Sequence, residues 1–337
     1  MKMEALSIKR SSEHIEKEQK LPLLRRFFAY LDKKGLSHLF FLSPFLIIMF
    51  TFSLFPILFS IFLSFHAWNP VEGMAAMKFV GLENYQFAVE DPWLWKSLKN
   101  TFLMAVASGL PQHLVALPIS YALVQCHRWV RAYSMSALFF PYIVSGVVVA
   151  LVFFNMFSPR TGIINQTISE LAQVPVLGGL FMGLHESMPI DWLNDVDLAK
   201  WSISFVVFWK FTGFNIVIYT TGLMTVPQEL YEAAKIDGAN LWHRFRHISL
   251  PHLKPFIIFG ATLSVIGGMQ LFEEPYILTE GKGGPSQSGL TIAHYLMRVG
   301  WEWLEMGQAS AIAWILFLII GVFSLINFFL LKGKDSV

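Results

Sequence analysis

Six long stretches of this chain contain no Asp, Glu, Lys or Arg: residues 35–71, 100–127, 132–159, 211–228, 255–272 and 306–331. A helix needs roughly 20 mostly apolar residues to cross a hydrocarbon core about 30 Å thick. Trimmed at polar and turn residues, the stretches predict membrane helices over 39–65, 101–125, 135–157, 202–224, 256–278 and 308–331. The fourth and fifth are carried across Lys210, Glu273 and Glu274 because the apolar pattern resumes on both sides. The expected fold class is an all-α integral membrane protein with six transmembrane helices in a lipid bilayer. Composition agrees, since only 14% of the residues are charged, against roughly 25% in a soluble domain. A formal charge of +2 gives no reason to expect nucleic acid. The one cysteine, Cys126, leaves no internal disulfide and no cysteine-based metal cluster.

Basic residues orient the spans, because they accumulate on the cytoplasmic side. Segments 1–38, 126–134, 225–255 and 332–337 hold 17 Lys and Arg, and the opposite segments 66–100, 158–201 and 279–307 hold 7. Both termini are therefore expected in the cytoplasm, with 1–38 and 332–337 as tails and 39–331 as the membrane domain. The first span is too long, and too far from the start, for a cleaved signal peptide, and reads as a signal anchor. Residues 21–31 mix basic and apolar side chains as an interfacial helix does; a solvated basic tail is the other reading. No internal repeat is evident, whereas many secondary transporters carry inverted repeats.

The segment 225–255 is too long and too patterned for a simple connector. Pro227 suits the first turn of a helix, with Glu229 at its positive end. Gly238 suits the left-handed stop of that helix. Asn240 can cap a second helix, expected to end near Leu250 because Pro251 follows. Leu230, Ala233, Ala234 and Asp237 share one face of the first helix. Such a helix–turn–helix docks on another protein, lies on the membrane surface, or packs beneath its own spans.

Three groups of residues narrow the choice: Glu232-Ala233-Ala234, Asp237-Gly238-Ala239 and Ile248-Ser249-Leu250-Pro251. In spacing, and in lying ahead of the last two spans, they resemble the EAA motif of permease subunits of binding-protein-dependent ABC importers. Ser64 to Asn69, Phe79 to Tyr85, Asn100-Thr101, Tyr276 to Thr279 with Gly283-Gly284-Pro285, and Ala309-Ser310-Ala311 are similar to the carbohydrate group, of maltose and glycerol-phosphate permease type. Glu280-Gly281-Lys282 departs from it by its charge. The resemblance covers residues 38–331. It implies a type I ABC importer permease fold in the inner membrane and ATP-driven sugar import by alternating access. Glu232, Ala233, Ala234, Asp237 and Gly238 would form the surface that docks in a cytoplasmic ATPase. The implied partners are a second homologous permease, two ATPase subunits and an extracytoplasmic sugar-binding protein. No cofactor is expected on this chain, because ATP and Mg would be held by the ATPases.

Ionisable residues inside a span are costly and mark function by default. Lys210 and Glu274 are expected to pair, directly or through water, unless Lys210 only snorkels or braces the helices. Trp209, Phe211 and Asn215 on span four, with Gln270 and Phe272 on span five, are the candidates for touching a sugar through rings and planar amides. The external loop 158–201 is expected to fold, with a short helix from Gly162. No Gly-x-x-x-x-Gly-Lys-Ser/Thr loop, His-Glu-x-x-His or Gly-x-Ser-x-Gly occurs, so no ATP hydrolysis or other enzyme activity is expected. The competing reading is an ion-coupled secondary transporter that uses Lys210 and Glu274.

Overall fold

The computed structural model describes residues 28, 30–173 and 189–332. The expected interfacial helix over 21–31 lies almost wholly outside the described residues. So do 174–188 of the 158–201 loop and all but the first residue of the C-terminal tail. The chain divides into two compact units, residues 1–62 and 63–337.

Helix α1 (Ser37–Ser64) is strongly apolar along its length, with Phe41, Phe52 and Phe55 mostly exposed, which suits a membrane-crossing helix. It contains a π-helical turn at Phe50–Leu54, two residues before Pro56. A proline ring clashes with the carbonyl four residues back, and the wider turn relieves that clash.

The second unit opens with a two-residue antiparallel pairing of β1 (His66–Ala67) and β2 (Lys78–Phe79), the one departure from helix among the described elements. After α2 (Glu83–Glu90) comes α3 (Pro92–Gln125), 34 residues and so roughly 50 Å long at 1.5 Å per residue. It begins nine residues before the sequence reading placed it. Asp91 caps it by accepting from Trp93 N, and Pro92 takes a first-turn position where no N–H is needed. Lys96 and Lys99 therefore lie on helix rather than in a loop.

The third span is not the straight helix expected over 135–157. α4 (Arg128–Ile143) and α5 (Gly146–Met156) meet at 91°. Pro141 removes a hydrogen bond within the last turn of α4, and Val144 and Ser145 are extended. A short helix α6 (Ile163–Ala172) follows Gly162 as expected. Asn165 ties its loop together by donating to Pro159 O and Ile190 O and accepting from Trp192 Nε1. α7 (Ala199–Met224) is the most buried span, packed along α3 and α4.

The next segment holds α8 (Gln228–Ile236) and α9 (Leu241–Arg244). Gly238 has φ +78° and ends the first helix, and Asn240 caps the second by accepting from His243 N. The expected stop at Pro251 does not occur. A π turn at Phe245–Ser249, again two residues ahead of the proline, carries the helix into α10 (Leu250–Met269).

The fifth span is broken as well. α10 ends at Met269, residues 270–272 leave helical geometry, and α11 (Glu273–Leu278) resumes. Pro275 has no N–H to give to Leu271 O, and the Thr291 hydroxyl donates to that carbonyl at 2.7 Å instead. The loop beyond is pinned to α3, where Asn100 Nδ2 donates to Gln287 O and Leu290 O and Thr101 Oγ1 accepts from Ile292 N. α12 (Ile292–Met297) and α13 (Met306–Lys332) complete the chain. With the bent α4–α5 pair counted once, the described residues hold six spans.

Small residues set the closest helix approaches, as is usual between membrane helices. A Cβ on Gly213 of α7 would sit 1.8 Å from Leu138 O of α4. Gly213→Ala is therefore expected to force α4 away from α7 and to cost about 1–3 kcal/mol, read as a lowered melting temperature in detergent; an unchanged value would contradict this contact.

α12 buries His294 completely. Its Nε2 faces Gly281 O at 3.1 Å, Arg298 Nη2 donates to the same carbonyl at 3.2 Å, and Nδ1 has no partner. Burial first, and the Arg298 charge second, push the imidazole down to about 4, against the opposing bond to Gly281 O. The unfolded chain binds a proton below 6.5 while the folded one does not until about 4, so this group removes stability as pH falls through that window. His294→Gln should flatten that part of the melting temperature against pH; superimposable profiles would show that His294 is not held neutral.

Candidate functional site

Between α3, α4, α7 and α10 lies a cavity of about 260 Å³. Ser108 and Gln112 come from α3, Tyr142 from α4, Val207, Phe211, Phe214 and Asn215 from α7, and Ser264, Gly267 and Gly268 from α10. Leu271, within the break, also lines the space, and no charged residue does. Its position follows from local chemistry. Tyr142 and Leu271 each stand where a span loses its helix, so the walls part there instead of packing through. Tyr142 stacks on Phe214 at 4.7 Å and meets Phe211 edge-on at 5.6 Å. Asn215 Nδ2 donates to Gln112 Oε1 at 3.1 Å, while the buried Asn215 Oδ1 has no partner. That oxygen lies toward Gly260, where a Cβ would come within 3.0 Å of it, and a buried polar atom without a partner costs free energy. One wall is thus aromatic and another offers amide groups.

The sequence candidates do not all meet here. Phe211, Asn215 and Phe214, the last also a ring candidate on span four, line the cavity. Trp209 is 43% exposed on the outer side of α7, edge-on to Phe153. Gln270 is exposed at the break, and Phe272 stacks on Tyr276 at 5.2 Å. Gln112, Tyr142, Ser108 and Ser264 were not read from the sequence. Their signal was weak, since isolated Ser, Gln and Tyr on an apolar helix carry no spacing rule. The Pro141 to Gly146 run was the one available clue to the bend that exposes Tyr142.

Lys210 and Glu274 do make the expected direct contact. Nζ and Oε1 are 2.7 Å apart, with the two side chains 9% and 5% exposed. In this environment either charge alone would be expensive. Gly146, the first residue of α5, presses against both.

At the other end of α7, the α8–α9 segment projects with little covering it. Glu232, Ala233, Asp237 and Gly238 are exposed and Ala234 is half-buried. Ile236 is 88% exposed, with Leu230, Leu241 and Trp242 also open. The base of the projection is fixed, because Tyr231 Oη and Ser249 Oγ share a hydrogen bond at 2.8 Å and Tyr121 Oη donates to Leu241 O at 3.2 Å. The protrusion therefore has a fixed base and an exposed apolar tip. Among the described residues no cluster of three or more His, Cys, Asp or Glu side chains is disposed to hold a metal ion.

Residues 114–333 match the family described as binding-protein-dependent transport system inner membrane component. The chain is 33% identical over 305 residues to the arabinooligosaccharides transport system permease protein AraP of Bacillus subtilis (strain 168), covering 88% of this chain and 89% of the relative. It is 32% identical over 295 residues to the lactose transport system permease protein LacF of Rhizobium radiobacter, covering 87% and 93%. In fold it is similar to a chain of a bacterial alginate ABC transporter solved in complex with alginate pentasaccharide-bound periplasmic protein. The TM-score is 0.71 at 19% identity, over 90% of this chain and 96% of that one. With nearly two thirds of its length inside the family pattern, the chain belongs to the inner membrane components of binding-protein-dependent transport systems.

Proposed function

We propose that this chain is one of two permease subunits of an ATP-driven importer, and that it passes a neutral sugar or oligosaccharide through the cavity between α3, α4, α7 and α10. The observation that carries this reading is the lining itself: aromatic faces from Tyr142, Phe211 and Phe214 beside amides from Gln112 and Asn215, with no charge. Sugar C–H faces stack on rings, and their hydroxyls need planar donors and acceptors. An acidic sugar would find no cation there, and burying its charge unpaired would be costly. The saccharides named for the relatives from Bacillus subtilis and Rhizobium radiobacter fit the same chemistry.

The side carrying 225–255 is the cytoplasmic one in this reading, supported by the excess of Lys and Arg in the segments on that side. The termini lie there too. Two cytoplasmic ATPase subunits, holding ATP and Mg, would grip the α8–α9 protrusion of this chain and its counterpart on a second permease. Glu232, Ala233, Ala234, Asp237 and Gly238 form the surface they would touch; the small alanines let the partner come close. A sugar-binding protein would dock on the opposite side, against the loops around 66–79, 158–201 and 279–305. Nucleotide-driven movement of the protrusion shifts the balance between states open to one side and to the other. It does so because the ATPases bind the two states with different affinity.

The test is reconstitution of the whole complex and measurement of ATP hydrolysis with binding protein and a panel of sugars. Neutral oligosaccharides are expected to stimulate hydrolysis and uptake, and uronic-acid oligomers to do neither. Tyr142→Ala and Asn215→Ala should each lower uptake by about fivefold or more, the loss of one stacking or hydrogen-bonding contact. Stimulation by acidic sugars alone, or uptake untouched by both substitutions, would contradict the assignment.

A further inference from the structure

Two helix breaks end at one cluster of charge. Lys210 of α7 contacts Glu274 of α11, and both are buried. A Cβ on Gly146, where α5 begins, would lie 2.1 Å from Glu273 Oε2, 2.8 Å from Lys210 Nζ and 3.0 Å from Glu274 Oε1. One cation and two carboxylates therefore crowd the same piece of backbone. Glu273 is exposed, and the described residues offer it no ion-pair partner. The cluster borders the cavity, since Phe211 beside Lys210 and Leu271 two residues before Glu273 both line it. On its far side, the loop from 279 to 291 is held down by Thr291 on Leu271 O and by Asn100.

We propose that this cluster is a two-position latch. Lys210 holds Glu274 while the cavity is shut on the side of the 279–291 loop, and exchanges it for Glu273 when that side opens. The proposal rests on transport through the cavity as read above. A single buried pair would make a poor moving part, because separation strands a charge in an apolar setting. A second carboxylate on the adjacent residue keeps Lys210 paired through the exchange, so that only Glu274 must find a new setting. α11 needs only to turn or slide for Lys210 to change partner, and packed interfaces with two discrete arrangements are what conformational switches use. Gly146 allows this, because any side chain there would fill the space the charges share. Lys210, Glu273 and Glu274 are positioning residues in this account, set beside the substrate path and not in it.

The latch predicts opposite effects for the two carboxylates. In the complete reconstituted transporter, Glu274→Gln should weaken the shut state and raise hydrolysis without binding protein by about fivefold or more. Glu273→Gln should leave that unstimulated rate low and cut the stimulated rate and uptake by a similar factor. A purely structural role would lower assembly or melting temperature in both without separating the two rates. If Glu274→Gln does not assemble, Glu274→Asp, with charge kept and reach shortened, reads the same ratio. Equal effects of the two glutamine variants, or wild-type ratios in both, would overturn the latch. A wild-type complex that shows no stimulation by any sugar-loaded binding protein would instead overturn the transport reading itself.

Discussion

The interior of a bilayer contains no water to solvate a backbone, so every peptide group left by a helix break must find its partner within the protein. This chain breaks two of its spans, and at the fifth a freed carbonyl finds such a partner. At the fifth span, the carbonyl that Pro275 cannot serve is taken by Thr291, which commits the whole 279–291 loop to fold back onto Leu271. At the third, Val144 and Ser145 are extended, and Ser145 O immediately accepts from Val149 N as α5 starts. The cavity lies beside both breaks, with Tyr142 and Leu271 in its lining.

Much of this architecture is legible in the residues, and the failures have a common cause. Charge-free stretches locate all six spans, because hydrophobicity is what the bilayer selects. The same measure is blind to direction: Val144 and Ser145 are as acceptable in a bent span as in a straight one, so 135–157 reads as one helix. Pro251 misleads for the opposite reason. It is a helix breaker by rule, but a π turn ahead of it widens the backbone enough to accept the ring. The Lys210–Glu274 contact could be anticipated because two opposite charges in an apolar chain have few alternatives. Trp209 could not be placed, since an indole suits a cavity and a lipid-facing surface equally well, and the structure puts it on the exposed side of α7.

Charge stands beside the cavity and not in its lining. Lys210 and Glu274 satisfy each other one helical step from Phe211 and outside the lining, whereas the lining offers Asn215, Gln112 and two serines. Under the proposed function, such a lining would hold a neutral polar molecule by several modest hydrogen bonds, each worth about 1 kcal/mol net, and release it readily. Slow release would defeat a carrier. The protrusion of α8 and α9 follows a different logic: its tip is apolar and open, while hydrogen bonds from Tyr231 and Tyr121 fix its base to the spans that border the cavity. The base of the protrusion is thus attached to α3 and to the turn that leads into α10.

The claim that sugar passes through this cavity is tested most directly by filling it. Gly267 lines the space, and a Cβ there meets nothing within 4 Å, so Gly267→Trp attaches an indole at a point with room for its first carbon. In the reconstituted complex this variant should assemble, and sugar-loaded binding protein should still stimulate its ATP hydrolysis, while uptake is abolished. Uptake at the wild-type rate by the assembled variant would show that the substrate travels elsewhere.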